Sequence, residues 1–107
     1  MSRGDLVTVA LQGDYGKPRP ALIIQSDLFN EHPSVTILPV TSELRAAPLL
    51  RIRVEPNENN GLQKTSEIMV DKPQSVARAR IGKKFGHLAE ENMLAVSRSL
   101  AVFLGVI

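Results

Sequence analysis

The sequence contains no cysteine and no tryptophan, and only two of its 107 residues are histidine. Without cysteine a disulfide framework is impossible, and the two histidines do not have the spacing of a zinc or iron site. No apolar run approaches the roughly 18 to 20 residues needed to cross a bilayer. These absences argue against a secreted disulfide scaffold, a metalloenzyme and a membrane protein, and we expect no metal and no other cofactor.

Signals for other common classes are missing as well. The chain has no glycine-rich phosphate loop of the Walker type and no Gly-x-Ser-x-Gly nucleophile elbow, which argues against nucleotide and ester hydrolysis. The first residues, 1–5, lack the apolar stretch of a signal peptide, so we expect a cytoplasmic protein. A length of 107 residues predicts one domain spanning 1–107.

The charge is nearly balanced, with thirteen Lys and Arg against eleven Asp and Glu, a formal net charge of +2. Any affinity for nucleic acid must therefore come from local clusters of cations. Two clusters suit a phosphate backbone, although each is also compatible with an ordinary solvated face. They are Lys72, Arg78, Arg80, Lys83 and Lys84, and Arg45, Arg51 and Arg53.

Hydropathy patterns predict short strands followed by one helix. Segments rich in β-branched and aliphatic residues, separated by Gly, Pro, Asn and Asp, predict the strands. These segments are 6–11, 20–25, 35–40, 49–54, 66–70 and, more weakly, 75–81. We expect Pro39 to mark an edge, a bulge or a strand end, and Arg51 and Arg53 to form a wet, cationic strand face.

The end of the chain changes to helical spacing. Apolar residues recur from Met93 through Val96 and Leu100 to Phe103 or Leu104, acidic residues occupy the first turn, and a glycine follows. Strands first and one helix last predict a mainly β (α+β) fold. We expect a small, strongly bent antiparallel sheet or partly open barrel with a C-terminal α-helix on one face.

The segment 16–27 combines a rigid basic loop with an apolar strand. Pro18 and Pro20 restrict the backbone on both sides of Arg19, so that this arginine loses little backbone entropy on meeting a ligand. A guanidinium is always charged, and its forked donors match phosphate or carboxylate. From these residues alone, an oxyanion-binding role and a solvated strand-edge charge are equally acceptable.

The sequence resembles the MazF/PemK family of toxin endoribonucleases from bacterial toxin–antitoxin pairs. The resemblance covers nearly the whole chain and rests on several motifs in the family's order. They are Arg3-Gly4-Asp5, the segment 19–27, Leu38-Pro39-Val40-Thr41-Ser42, Asn60-Gly61-Leu62, the segment 68–74, Gly86-His87-Leu88, and the helical pattern that ends at Leu104-Gly105.

The resemblance implies an SH3-like barrel that dimerises and cleaves single-stranded RNA without a metal, leaving a cyclic phosphate. It also implies a cognate antitoxin whose acidic C-terminal segment silences the enzyme. By analogy with the family's motif positions, Arg19 and Thr41 are the catalytic pair. Further RNA contacts are expected from Tyr15, which is the best candidate to stack a base, and from Lys17, Ser42, Asp71, Lys72 and Gln74.

The chain departs from the family pattern where some relatives carry a histidine and a glutamate in the first loop and an arginine before the aspartate that Asp71 matches. Gly13, Asp14 and Met69 occupy those places, which leaves the proton-transfer partner of Arg19 open. His32 and His87 have no orienting neighbour in sequence, so both are interpreted as ordinary surface or packing residues.

A second class of function also fits the sequence. The same fold family contains CcdB-like DNA gyrase poisons, which cleave no RNA, and the ending Gly105-Val106-Ile107 is faintly similar to theirs. A simpler interpretation is that Phe103 and Leu104 complete the apolar stripe of the helix and Gly105 ends it.

Overall fold

The computed structural model of the protein describes residues 1–11 and 17–107, and most of them form antiparallel sheet. One helix follows the last strand. The elements are β1 (Asp5–Ala10), β2 (Pro18–Ile23), β3 (Ser34–Thr41), β4 (Arg51–Val54), β5 (Ser66–Met69), β6 (Gln74–Ala77), β7 (Ile81–His87) and α1 (Glu90–Leu104), with 3₁₀ turns at Asp27–Phe29 and Arg78–Arg80.

The strands are ordered β4-β5-β3-β2-β1-β7, and β6 pairs with β3 beside this path. Every pairing is antiparallel. The turn Arg78–Arg80 connects β6 to β7, which lie on opposite sides of the central β3-β2-β1 strands. The sheet therefore has to curl, and the predicted bent sheet with a C-terminal helix is confirmed.

Side-chain alternation along the strands gives the sheet two apolar faces. One face carries Leu6 and Leu22 and packs against Val96 of α1. The other carries Val7 and Ala21 within the curl of β1, β2, β3 and β6. Because both faces are buried, β2 has the unbroken run Ala-Leu-Ile-Ile instead of strict alternation.

Strand β3 changes partners near Pro39. On one side it pairs with β2 through Pro39, opposite Ala21. On its other side it pairs with β6 as far as Ile37 and with β5 from Val40 onward. Proline lacks the N–H that a ladder needs, so it suits this gap between two partners.

Strand β7 was not predicted from the sequence, because Gly82, Gly86 and two lysines obscure any alternation. Its pairing with β1 holds it in place. A Cβ atom at Gly86 would lie 2.0 Å from the backbone oxygen of Asn60, so the loop that packs on this strand requires glycine there.

The helix begins and ends as predicted. Glu90 and Glu91 lie in its first turn, and Gly105 caps it in the left-handed conformation with φ of 73°. The apolar stripe is shorter than predicted, because Phe103 and Leu104 are 45% and 54% exposed. Within residues 1–11 and 17–107, no helix is long and apolar enough to span a membrane.

Candidate functional site

Arg19 and Thr41 lie toward the same end of two adjacent strands. Arg19 is paired with Val9 in β1, and Thr41 with Glu67 in β5. The β2–β3 ladder ends at the pair Ala21 and Pro39. Each of the two predicted catalytic residues therefore lies two positions beyond the same end of that ladder.

The hydroxyl group of Thr41 already has one structural role. Its Oγ1 accepts a hydrogen bond of 3.0 Å from the backbone N–H of Glu43, which shapes the chain as it leaves β3. A threonine hydroxyl also carries its own O–H donor. The structural role and a phosphate-binding role are therefore compatible at this residue.

The remaining predicted RNA contacts are more dispersed. Lys17 is exposed immediately before β2. Gln74 lies opposite Ile37 on the Thr41 face, but four residues away along β3, or about 13 Å. Ser42 follows Thr41 and so projects toward the other face, where it lines a cavity of about 450 Å³ with Pro20 and Lys64.

The pair Asp71 and Lys72 lies in the turn between β5 and β6. Their charged groups are 3.6 Å apart, with Lys72 Nζ facing Asp71 Oδ2 at the protein surface. The predicted RNA contact Tyr15 lies outside the described residues, as do Gly13 and Asp14.

Glu67 is a central residue of the site that sequence reasoning missed. It lies directly opposite Thr41 in the β3–β5 ladder and opposite Arg53 in the β4–β5 ladder. Its side chain is only 3% exposed. Its carboxylate accepts the backbone N–H of Arg45 at 2.9 Å and side-chain donors of Arg51 at 3.1 Å and Arg53 at 2.9 Å.

These contacts correct the predicted wet, cationic face of β4. Arg51 is 10% exposed and is held between Glu67 and the backbone oxygen of Glu43, whereas Arg53 remains 52% exposed. The backbone N–H of Arg45 and the two guanidinium groups outweigh burial and lower the pKa of Glu67 from 4.5 to about 2. The carboxylate is therefore ionised wherever the protein works.

Members of the other basic cluster contact different parts of the chain. Arg78 donates to the backbone oxygen of His32 and Arg80 to that of Ala10. Lys84 Nζ lies 3.3 Å from a carboxylate oxygen of Asp5. These three cations therefore each have a structural partner.

His87 has an orienting carboxylate, contrary to the prediction from its sequence neighbours. The β1–β7 ladder sets it opposite Asp5, and its Nδ1 lies 2.8 Å from Asp5 Oδ1. Burial raises the pKa of Asp5, but hydrogen bonds from His87, the Ser2 backbone and Lys84 outweigh it and hold that pKa below its usual value. The pair lies at the opposite end of β1 from the strand position beside Arg19.

In the part of the chain that the structure describes, no three His, Cys, Asp or Glu side chains come together in a way that could hold a metal ion.

Comparison with known proteins gives close sequence relatives. Residues 2–104 match the family described as PemK-like, MazF-like toxin of type II toxin–antitoxin system. A probable endoribonuclease MazF from Mycolicibacterium smegmatis is 49% identical over 107 residues, covering 99% of this chain and 98% of the relative. Endoribonuclease EndoA from Bacillus subtilis is 26% identical over 113 residues, covering 100% and 97%.

Solved structures share the fold. An endoribonuclease in complex with its cognate antitoxin from a mycobacterial species has a TM-score of 0.84 at 21% identity and covers 100% of this chain and 97% of its own. A MazE–MazF structure (Form-III) from Deinococcus radiodurans has a TM-score of 0.79 at 21% identity, with coverage of 100% and 98%. The sequence relatives, which are named endoribonucleases, favour the nuclease prediction over the gyrase-poison alternative. Because the family match extends over residues 2–104 and a 49% identical relative covers nearly the whole of both chains, the chain belongs to the PemK-like, MazF-like toxin family of type II toxin–antitoxin systems.

Proposed function

We propose that the protein is the toxin of a toxin–antitoxin pair and acts as an endoribonuclease on single-stranded RNA, inhibiting translation and growth. It forms a single toxin domain over residues 1–107 and works in the cytoplasm. The main support is the 49% identity to a probable endoribonuclease MazF over nearly the full length of both chains. The position of Arg19 and Thr41 on adjacent strands, beyond the same end of the β2–β3 ladder, also supports this proposal.

The proposed reaction needs no metal, because the nucleophile is the ribose 2′-hydroxyl of the RNA itself. This hydroxyl attacks the adjacent phosphorus, the bond to the 5′-oxygen of the next nucleotide breaks, and a 2′,3′-cyclic phosphate forms. The proton of the 2′-hydroxyl leaves, and the departing 5′-oxygen gains one. The protein has to align these atoms and stabilise the charge on the phosphorane.

Arg19 supplies the fixed positive charge in this scheme. Its guanidinium donates to the equatorial oxygens as negative charge develops on them, or to the departing oxygen. Thr41, on the neighbouring strand, holds the scissile phosphate through its O–H. The two prolines that flank Arg19 limit the entropy lost when this arrangement forms.

The proposed RNA path uses residues on both sides of the catalytic pair. Lys17 precedes β2 and Ser42 follows β3, so these two residues flank Arg19 and Thr41 at the strand ends. Farther along the path, contacts come from Asp71, Lys72 and Gln74. Tyr15, which falls between β1 and β2 in the sequence, stacks a base.

The partners proposed here are a second copy of the chain and an antitoxin. The homodimer forms the RNA groove, and an acidic C-terminal segment of the antitoxin occupies it and competes with RNA. A relative of the same fold was solved in complex with its cognate antitoxin.

The test is incubation of the purified protein with a long RNA in EDTA, followed by mapping of the ends. We expect cleavage with cyclic phosphate termini. Arg19→Ala, folded by circular dichroism, should lose at least about 100-fold of the rate, the effect of deleting one transition-state donor. Near-normal cleavage by the folded variant would refute the role of Arg19. An intact RNA together with stabilised gyrase–DNA cleavage complexes would refute the nuclease function itself.

A further inference from the structure

A polar row crosses three neighbouring strands at the catalytic end of the sheet. The strands are in the order β4-β5-β3, and β2 with Arg19 lies beside β3. The strand registers set Arg53 opposite Glu67 and Glu67 opposite Thr41. Residues at opposite positions share a face. Glu67 therefore stands between Arg53 and Thr41.

The cluster around Glu67 has a surplus of positive charge. Two guanidinium groups, of Arg51 and Arg53, share one carboxylate, which leaves a formal charge of +1. The two arginines differ in exposure. Arg51 is almost buried and also bonds the backbone oxygen of Glu43, whereas half of the Arg53 side chain reaches solvent. The surplus charge is therefore accessible at Arg53.

The orientation of Arg53 is fixed by its carboxylate partner. Its Nε and Nη2 donate to Oε2 of Glu67 at 3.2 and 2.9 Å. These two bonds use two of the five N–H donors of the guanidinium. Glu67 is in turn buried and held by the backbone N–H of Arg45, so the arginine is anchored on a rigid support. A guanidinium anchored in this way keeps donors for a second oxyanion while losing little rotamer entropy on binding.

We propose that Arg53 binds a phosphate of the RNA next to the scissile one, and that Glu67 is the positioning residue that aims it. The inference rests on the proposed nuclease function and adds a residue to it. Two strand spacings separate Arg53 from Thr41, or about 10 Å at the backbone. That separation suits a flanking phosphate, whereas Thr41 holds the scissile one.

The test compares Arg53→Ala with a matched control, Arg98→Ala, which removes an equally charged exposed side chain from α1. The substrate is the long RNA used for end mapping, and binding is measured with a labelled, fully 2′-O-methylated copy of its most strongly cleaved segment. Arg53→Ala should weaken binding and raise KM by about 10-fold or more, with a smaller change in kcat. It should also reduce the slope of log affinity against log salt by about one, as expected for a lost phosphate contact.

The positioning role of Glu67 is tested in a double-mutant cycle. Glu67→Gln should weaken RNA binding in the wild-type background but add little in the Arg53→Ala background, because it acts through that arginine. Arg53→Lys keeps the positive charge but loses the forked guanidinium donors. Its RNA affinity should lie between those of the wild type and Arg53→Ala. Thermal unfolding of each variant identifies those that fail to fold.

The outcomes separate the two levels of the proposal. If the wild type cleaves RNA, Arg19→Ala does not, and folded Arg53→Ala binds and cleaves like Arg98→Ala, then the role of Arg53 is refuted and the nuclease function stands. If the wild type neither binds nor cleaves RNA, the nuclease function fails, and the inference fails with it. If Glu67→Gln weakens binding equally in both backgrounds, the positioning role of Glu67 is refuted.

Discussion

The carboxylate of Glu67 accepts four hydrogen bonds, from the backbone of Arg45 and from the side chains of Arg51 and Arg53. Such a set of donors favours the ionised form. The arrangement ties the segment after β3 to strands β4 and β5, so one residue supports both the local structure and the polar row. Protonation of Glu67 should therefore weaken contacts of β4 and of the segment after β3, as well as those of β5.

At the scale of single residues, we predict that Glu67 titrates near pH 2. The native pKa of about 2 lies below the ordinary 4.5, so between these values the unfolded chain binds a proton that the native state excludes. The stability from this group is complete above pH 4.5 and is lost as the pH falls toward 2. Carboxyl-carbon NMR of the native protein measures the pKa directly.

A variant that removes an exposed carboxylate provides the control for Glu67→Gln. Glu58 lies on the surface of the loop after β4, and Glu58→Gln controls for the loss of one negative charge. Glu67→Gln should flatten the dependence of the unfolding free energy on pH between 4.5 and 2. A native pKa near 4.5 for Glu67 would contradict the prediction.

At the scale of elements, β7 depends on a loop that packs closely against it. The side-chain oxygen of buried Asn60 accepts the backbone N–H groups of Asn57 and Leu62, and the backbone oxygen of Asn59 accepts the N–H of His87. The loop 57–62 thus presents its backbone to the strand. This close approach is why β7 contains glycine where a strand usually carries a side chain.

We predict that Gly86→Ala destabilises the protein by about 3 kcal/mol, the upper part of the range for overpacking. The new Cβ would lie 2.0 Å from the backbone oxygen of Asn60, so strand and loop must separate. Gly105→Ala is the matched control. It has open space but a positive φ, and should cost only about 1 kcal/mol from the left-handed backbone conformation. Denaturant unfolding of both variants measures the difference, and equal losses would contradict the steric explanation.

At the scale of the whole molecule, apolar surface is concentrated at the C-terminal end of α1. The exposed large apolar side chains at this end are those of Val102, Phe103, Leu104, Val106 and Ile107. An exposed apolar group of this kind is typical of a surface that another protein covers. Isologous pairing of two copies is the most common solution in soluble homo-oligomers.

We predict a dimer of about twice the 11.7 kDa chain mass in light scattering at micromolar concentration. Val102→Asp, which places a charge among the apolar side chains, should shift the protein toward monomer and lower its RNA cleavage. A wild-type monomer that retains full activity would contradict the prediction.

The sequence by itself determined the features that depend on short-range signals. Turn residues and β-branched segments located most of the strands, and helical spacing with a terminal glycine located α1. The motifs around Arg19 and Thr41 identified the family, and the pattern of strands followed by one helix indicated the fold class. Each of these signals is contained within a few neighbouring residues.

Only the tertiary structure decided which distant residues meet. Asp5 orients His87 from 82 positions away, and Glu67 joins Arg51 and Arg53 through two strand pairings. Strand β7 and the exposed end of α1 likewise depend on what lies beside them. The physical reason is that strand register and burial depend on contacts between segments that are distant in sequence. The local propensity of a segment does not specify which segment it will pair with.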